Sequence, residues 1–510
     1  MPDVVVIGAG HNGLVAACYL ARSGLDVEVV ERDTVIGGAV STVERWPGYR
    51  VDRGSSAHVM IRHTGILEDL DLDVTYQDLD PWGWTPYGDI TFHVDLDRTC
   101  ESIEKACGTR DADAYRAFAL DWGQRNTKVF EAFQGPPTPA RLGRAIWGAG
   151  RGTGLSGLEL SRQFLTSADA LLDAHFDDEQ LKTALAWLGS QSGPPTHEPA
   201  TADLVGWNTV MHQRAPGHPV GGSGRLSEAL AACLSSYGGR VRLGDGAARI
   251  TTRGDAVTGV LTTSGEHLAA DVVVGACHVL TTLELADSPV LERLTRNVRV
   301  GNGIGMVVRL GTTALPAYEG ATDETYRAMQ LLAPSRQALR RAHGEWNAGL
   351  PPTDPAALVM THSAFDDTLA PPGRHTVTVW GQWHPYALAN GERWADIGAR
   401  EADKLIAAVD RVAPGFSSGI EHVHVQTPED LERELGLRQG QVMHLEMAFD
   451  QMFLWRPLPE LASYRVPGTR GLYLCGASTH PGGGVFGASG RSAARTVIAD
   501  RSRRLRRRHA

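Results

Sequence analysis

The sequence predicts an α/β fold in which a Rossmann-like nucleotide-binding domain is interrupted by an α+β substrate domain with a helical cap. Three observations predict it. A short β-branched run, Val4-Val-Val-Ile7, leads at once into the motif Gly8-Ala9-Gly10-His11-Asn12-Gly13 and a helical repeat. Further glycine-rich turns follow at Gly37-Gly38, at Gly221-Gly-Ser-Gly-Arg225 and at Pro481-Gly-Gly-Gly484. Between them lie aromatic and helical stretches after which the nucleotide-domain pattern returns.

In the first unit, Leu14, Ala17, Cys18 and Ala21 recur at helical spacing, Ser23-Gly24 stops the helix, and Val27-Glu-Val-Val30 forms a second strand ending at Glu31. This is β-α-β with GxGxxG at its first turn. Gly8 permits the tight turn, Gly10 lets a pyrophosphate approach the backbone, and Gly13 lets helix and strand pack closely. The helix N-terminus offers N–H groups and a positive dipole end to the phosphates. Glu31 stands where a carboxylate accepts from a ribose hydroxyl, which favours an adenosine ribose without a phosphate and leaves NAD or FAD. The second glycine pair, Gly37-Gly38-Ala39, decides for FAD. Flavoproteins of the glutathione reductase type use such a pair to pass backbone close to the diphosphate and ribityl chain.

From about 80 the pattern changes. Trp82, Trp84, Tyr87 and Phe92 precede a helical stretch, Asp111 to Ala132, which Gln134-Gly-Pro-Pro-Thr-Pro139 breaks. Residues 140–164 are basic and poorly periodic, and the whole stretch to 214 reads as an inserted cap. A helix is expected from Leu226 to Tyr237, then short strands at Arg240–Leu243, Ala247–Thr252, Val257–Thr263 and Val272–Val274 that rejoin the nucleotide domain as a sheet edge. Residues 300–425 read as substrate-domain sheet and helix, with a strand from Val377 to Tyr386. The last element is a strand, Gly471 to Cys475, a glycine-dense loop through His480 and Phe486, and a helix from Gly487 to Asp500.

Composition bounds the rest. A chain of 510 residues, 42% hydrophobic and 21% charged, is ordinary globular protein of two or three domains. Forty-nine Lys and Arg against 59 Asp and Glu give a net charge of −10, which argues against nucleic-acid binding. Six arginines between Arg501 and Arg508 form a tail expected to be solvated and disordered, with weak contact to anionic lipid as the alternative. The apolar run Leu14–Ala21 is far short of the ~20 residues of a membrane span, and no secretory leader is read at the start. Six cysteines without CxxC or His/Cys spacing read as reduced thiols in a cytoplasm, and no metal is expected. Localisation is therefore expected to be cytoplasmic, with peripheral membrane contact left open.

The opening GAGHNGLVAACYLARSGLDVEVVER, the IGGA pair, the central GGSGRLSEAL and the closing GLYLCGASTHPGGGVFGASG resemble the phytoene desaturase-like FAD-dependent oxidoreductases. The likeness leans to the branch of the pyridine nucleotide-disulphide oxidoreductase domain-containing protein 2 type. It implies a discontinuous FAD domain, residues 1–80, 215–300 and 425–510, and a substrate and cap domain, residues 81–214 and 301–424. It places FAD contacts on Gly8, Gly10, Asn12, Gly13, Glu31, Arg32, Gly38, Ala39, Ala248, Gly476, Val485 and Phe486, with Ala9, Gly37, Ala477 and Gly484 beside them. The family's usual Arg or Lys after the glycine pair is Ala39 here, and Phe486 stands where a small residue or Pro is common.

The expected function is an FAD-dependent desaturase, dehydrogenase or oxidase that moves a hydride from a C–H bond of a small or medium organic substrate to flavin. Alternatives are a redox-neutral flavin isomerase or saturase and, in another class, a non-catalytic FAD-binding scaffold at a membrane or partner protein. Catalytic candidates are His480, beside the PGGG loop, and His384 and Gln382, at the end of a probable strand; His58 and His63 are further candidates for a base. The electron acceptor is expected to be oxygen or a quinone, and homo-oligomerisation is left open. A single GxGxxG unit predicts that NADH and NADPH reduce the flavin poorly.

Overall fold

Val4–Ile7 is fully apolar and buried on both faces, so it can only be an inner strand of a parallel sheet. The computed structural model, which describes residues 1–150, 162–286 and 289–509, places it at the centre of five parallel strands. Their order is Leu472–Leu474, Val272–Gly275, Val4–Ile7, Val27–Val30 and Arg240–Arg242. The helix His11–Arg22 follows the first glycine turn and is buried from Asn12 to Ala21, because the helices Gly224–Ser236 and Ala488–His509 pack against it. The last of these crosses so closely that a Cβ at Gly490 would stand 2.2 Å from the Asn12 carbonyl oxygen.

One sequence expectation about this sheet needs correcting. The strands between 240 and 274 do not all form an edge. Arg240–Arg242 is the edge, whereas Val272–Gly275 lies between Val4–Ile7 and Leu472–Leu474, as its four buried residues require. Ala247–Arg253, Ala256–Thr262 and His267–Ala269 form a separate antiparallel meander.

The second layer is a seven-stranded mixed sheet in the order Ile420–Gln426, Gly305–Thr312, His375–Gln382, Ala357–Met360, Met329–Leu332, Gly83–Thr85, Ile90–Phe92. Helices cover it. The longest, Thr109–Phe133, ends at the proline-rich break, and the next, Pro139–Gly150, starts on its last proline. Asp95, Ser167 and Asp178 cap three of the cap helices with side-chain oxygens on backbone N–H groups. The stretch 140–164, expected to be poorly periodic, is therefore helical in its first part, and residues 151–161 lie outside the described residues.

The arginine tail is also a correction. The last helix runs on through it to His509 instead of ending at Asp500, since arginine is a good helix former and no Gly or Pro intervenes. Arg501 pairs with Asp3 at 2.9 Å. Among the described residues no helix is long and apolar enough to cross a membrane.

Candidate functional site

The carboxyl ends of three central strands open onto a cleft of about 300 Å³, where parallel sheets of this kind place ligands. It is lined by Ile7, Val30 and Ala276 at the strand ends, by Gly8, Gly10, His11 and Asn12 of the first turn, and by Gly37, Gly38 and Ala39 beside that turn. The two glycine motifs are joined, because Gly37 N donates to Ala9 O at 3.0 Å. Gly8, Gly37 and Gly38 all have positive φ, +104°, +108° and +57°, which only glycine adopts without strain.

Glu31 sits at the end of its strand with the carboxylate turned back. Its Oε2 accepts from Ala9 N at 2.7 Å and its Oε1 from Asp33 N at 3.0 Å, fixing it beside the first glycine turn. Arg32, Gly476 and Ala477 also line the cleft. Ala9 and Gly13 stand just behind the wall, and a Cβ on Gly13 would meet Gly8 O at 2.3 Å. Ala248 is exposed and outside the lining, which takes Gly246 and Ala247 from that stretch. Gly484, Val485 and Phe486 also lie outside it. Phe486 is 5% exposed and packs edge-on to Phe133 at 5.6 Å, in the aromatic core beneath the cap.

Cleft residues that sequence reasoning passed over are His11, His278 and His444. His278 Nε2 donates to His444 O at 2.8 Å, and His444 Nδ1 bonds Ser478 Oγ at 2.9 Å. Burial lowers His11 and His278 to about 4 and His444 well below its usual value, so the three rings are neutral at pH 7. His11 stands inside the glycine motif and could have been noticed there; His444 belongs to no motif. The carbonyl of Ala477 accepts from Nε and Nη2 of the fully buried Arg456 at 3.1 and 2.8 Å, which holds the turn that follows the last strand.

The three catalytic candidates are not brought together. His480 continues the loop from Ala477, with its ring between Phe133 at 5.5 Å and Phe453 at 5.9 Å. Its Nδ1 is buried without a hydrogen-bond partner among the described residues, and burial pushes the ring down to about 3. His384 is buried elsewhere, against Trp394, with Nδ1 on Gly381 O at 3.1 Å. Gln382 uses both ends of its amide. Oε1 accepts from Trp380 Nε1 at 2.7 Å and Nε2 donates to Ser190 O, so it ties sheet to cap. The strand ends at Gln382, because Trp383 takes a positive φ of 59° and turns the chain. His58 has both nitrogens engaged, by Tyr76 Oη and Ser223 Oγ at 2.8 and 2.7 Å. His63 faces the Phe130 ring at 5.3 Å.

The residues of the cleft fit a dinucleotide. A Cβ at Gly10 would find no atom nearer than 4.0 Å, so the space beside it is kept free of protein, and the first N–H groups of the following helix have no intrahelical partner. A profile of the NAD(P)-binding Rossmann-like domain matches residues 6–70. Along its length the chain is similar to pyridine nucleotide-disulfide oxidoreductase domain-containing protein 2 of Rattus norvegicus, 30% identical over 98% of this chain and 93% of that protein. Phytoene dehydrogenase of Streptomyces griseus is 29% identical over 94% of this chain and 92% of its own. An oxidoreductase from Methanosarcina mazei shares the fold, with a TM-score of 0.61 over 97% of this chain and 99% of its own at 15% identity.

Proposed function

The chain belongs to the phytoene desaturase-like FAD-dependent oxidoreductases, with pyridine nucleotide-disulfide oxidoreductase domain-containing protein 2, and from that premise we propose that it oxidises a C–H bond of a small or medium organic substrate. The observation that carries this reading is the joined pair of glycine motifs around Glu31, closed by Gly476-Ala477, within a likeness that spans nearly the whole chain. The N-terminus of His11–Arg22 would hold the pyrophosphate, Glu31 a ribose hydroxyl, and the backbone at Gly38-Ala39 and Gly476-Ala477 the rest of FAD. Bound flavin supplies the hydride acceptor.

The protein's part is to exclude water, orient the substrate and keep its own groups uncharged. His480 is held neutral at pH 7 by its burial, and its Nδ1, which has no hydrogen-bond partner among the described residues, is left as an acceptor in the wall beneath the cap. The phenyl ring of Phe486 fills the gap between the PGGG loop and the cap helix, which favours a substrate shorter than a carotene. The substrate loses a hydride and a proton, and oxygen or a quinone as final acceptor would take up the two electrons and two protons.

The test is direct. Purified protein should be yellow and release FAD, and compounds from metabolite pools should bleach the bound flavin anaerobically while NADH and NADPH do so slowly. A colourless protein that takes up no FAD would overturn the reading. Rapid bleaching by either nicotinamide would overturn the expectation of a separate organic reductant.

A further inference from the structure

Away from the cleft, three side chains with no hydrogen bond or ion pair to a described residue converge. His197 and Glu198 come from the turn Pro194-Pro195-Thr196-His197-Glu198-Pro199-Ala200, and His343 comes from the helix Arg336–Asn347. One ligand atom from each lies within 4.8 Å of the others. Sequence spacing could not show this, because the pair and the third residue are far apart in the chain.

The turn is held in place. Three prolines limit its backbone, Glu198 N donates to Pro195 O at 3.2 Å, and Thr201 Oγ1 donates to Glu198 O at 2.7 Å. Gly193, just before it, accepts from Trp383 Nε1 at 2.9 Å. On the other side the His343 ring lies flat on Trp346 at 5.3 Å, edge-on to Trp383 at 5.6 Å and 5.4 Å from the His197 ring. Packing therefore fixes the orientation of His343, as a good ligand requires.

What these groups lack is as informative. His343 is 5% exposed, yet its ring makes no hydrogen bond with any described residue, and neither His197 nor the Glu198 carboxylate has a hydrogen-bond or ion-pair partner among the described residues.

We propose that His197, Glu198 and His343 form a site for a borderline divalent transition cation of the zinc class. Two imidazole nitrogens and one carboxylate oxygen suit Zn²⁺ or Co²⁺ and are a poor set for Mg²⁺ or Ca²⁺, which prefer all-oxygen shells. Ligands about 2.0–2.2 Å from a tetrahedral ion stand roughly 3.4 Å apart. The exposed His197 and Glu198 supply the small inward movement, while His343 stays anchored. The ion staples the cap turn to the helix and strand end of the other half of the substrate domain. Its remaining positions face solvent and are filled by water.

The experiment uses the full flavin-loaded chain after chelator treatment. Titration with Zn²⁺ and with Co²⁺ should show one ion per chain, Co²⁺ should give the visible bands of a four- or five-coordinate N/O site, and Zn²⁺ should raise the thermal midpoint. His197→Ala and Glu198→Gln change exposed side chains and leave the fold intact. Each should weaken Zn²⁺ binding by more than about tenfold, at least the loss that follows removal of a ligand's outer-shell partner. Less than one ion per chain, affinity unchanged in both variants, or preference for Mg²⁺ or Ca²⁺ overturns the assignment.

Discussion

The nucleotide cleft and the underside of the cap meet at the loop Gly476–Gly487, and they are built in opposite ways. The cleft is made of backbone, with Gly8, Gly10, Gly37 and Gly38 keeping side chains out of the way of a ligand. The cap side is made of interlocked rings: Phe130 stacks on Trp207 at 4.8 Å, and Phe133 meets Trp207, Phe453, His480 and Phe486. One region recognises by leaving space, the other by filling it. A substitution that adds atoms should hurt the first, and one that removes atoms should hurt the second.

The largest effect separates two glycines three residues apart. At Gly13 a Cβ would lie 2.3 Å from Gly8 O and 2.9 Å from Ala276 Cβ, so Gly13→Val forces helix and strand apart. The clash is with backbone on one side and the sheet on the other, so no rotamer change relieves it, and the variant should fail to accumulate as folded protein. Gly10 has φ −66° and open space around its Cβ position, so Gly10→Val should fold with the thermal midpoint of flavin-free wild type and yet bind no FAD. Thermal unfolding and flavin absorbance decide it. Equal instability of both variants would break the distinction between a packing glycine and a ligand glycine.

Next in size is Phe486→Ala. The ring is 5% exposed among Phe130, Phe133 and the rest of the cap core. Truncating a buried phenylalanine costs about 3–5 kcal/mol, so the thermal midpoint should fall while FAD content per chain holds. A variant of wild-type stability with an altered substrate range would show that Phe486 walls an open pocket instead.

The same contrast explains what the sequence disclosed. The cleft was legible because its parts are local: strand, GxGxxG, helix, second strand and Glu31 all fall within the first 31 residues, and each has a mechanical reason. The cap side was not, because Phe133, Phe453, His480 and Phe486 are brought together by packing between distant segments, which no spacing encodes. His384 and Gln382 were read as pocket walls because they end an amphipathic strand. The turn at Trp383 directs His384 toward Trp394, and Gln382 spends its amide on Trp380 and Ser190. The last helix continues through the arginines because their helix propensity outweighs the mutual repulsion that a run of like charge suggests.

A smaller effect sharpens the picture of the cleft. Glu31 accepts two backbone hydrogen bonds and would also accept from the ribose. Glu31→Gln keeps one acceptor oxygen and turns the other position into a donor facing Ala9 N or Asp33 N. Hydrogen bonds to a charged partner contribute about 1.5–3 kcal/mol; FAD affinity should therefore fall by roughly tenfold or more while the fold survives. Titration of flavin-free protein with FAD measures it, and unchanged affinity would show that the glycine turns alone hold the cofactor.

The smallest effect is a slope, and it belongs to the cap side. Burial lowers His480 from its usual 6.5 to about 3, so between those values the unfolded chain takes up a proton that the folded chain does not. Stability contributed by the neutral ring is complete above about pH 6.5 and is lost steadily as pH falls toward 3. One such group gives at most about 1.4 kcal/mol per pH unit within the window. His480→Phe removes the titration and sets a third ring between Phe133 and Phe453, in the manner of the region around it. Phenylalanine is larger than histidine, so at pH 8 the variant should lie within about 1–3 kcal/mol of wild type, the range of overpacking at a buried site. Between pH 6 and 5 its unfolding free energy should fall less steeply than wild type, by up to about 1.4 kcal/mol per unit. Parallel curves would mean that His480 is solvated and free to titrate, and the cap side would then hold an open, wet cavity in place of a packed aromatic wall.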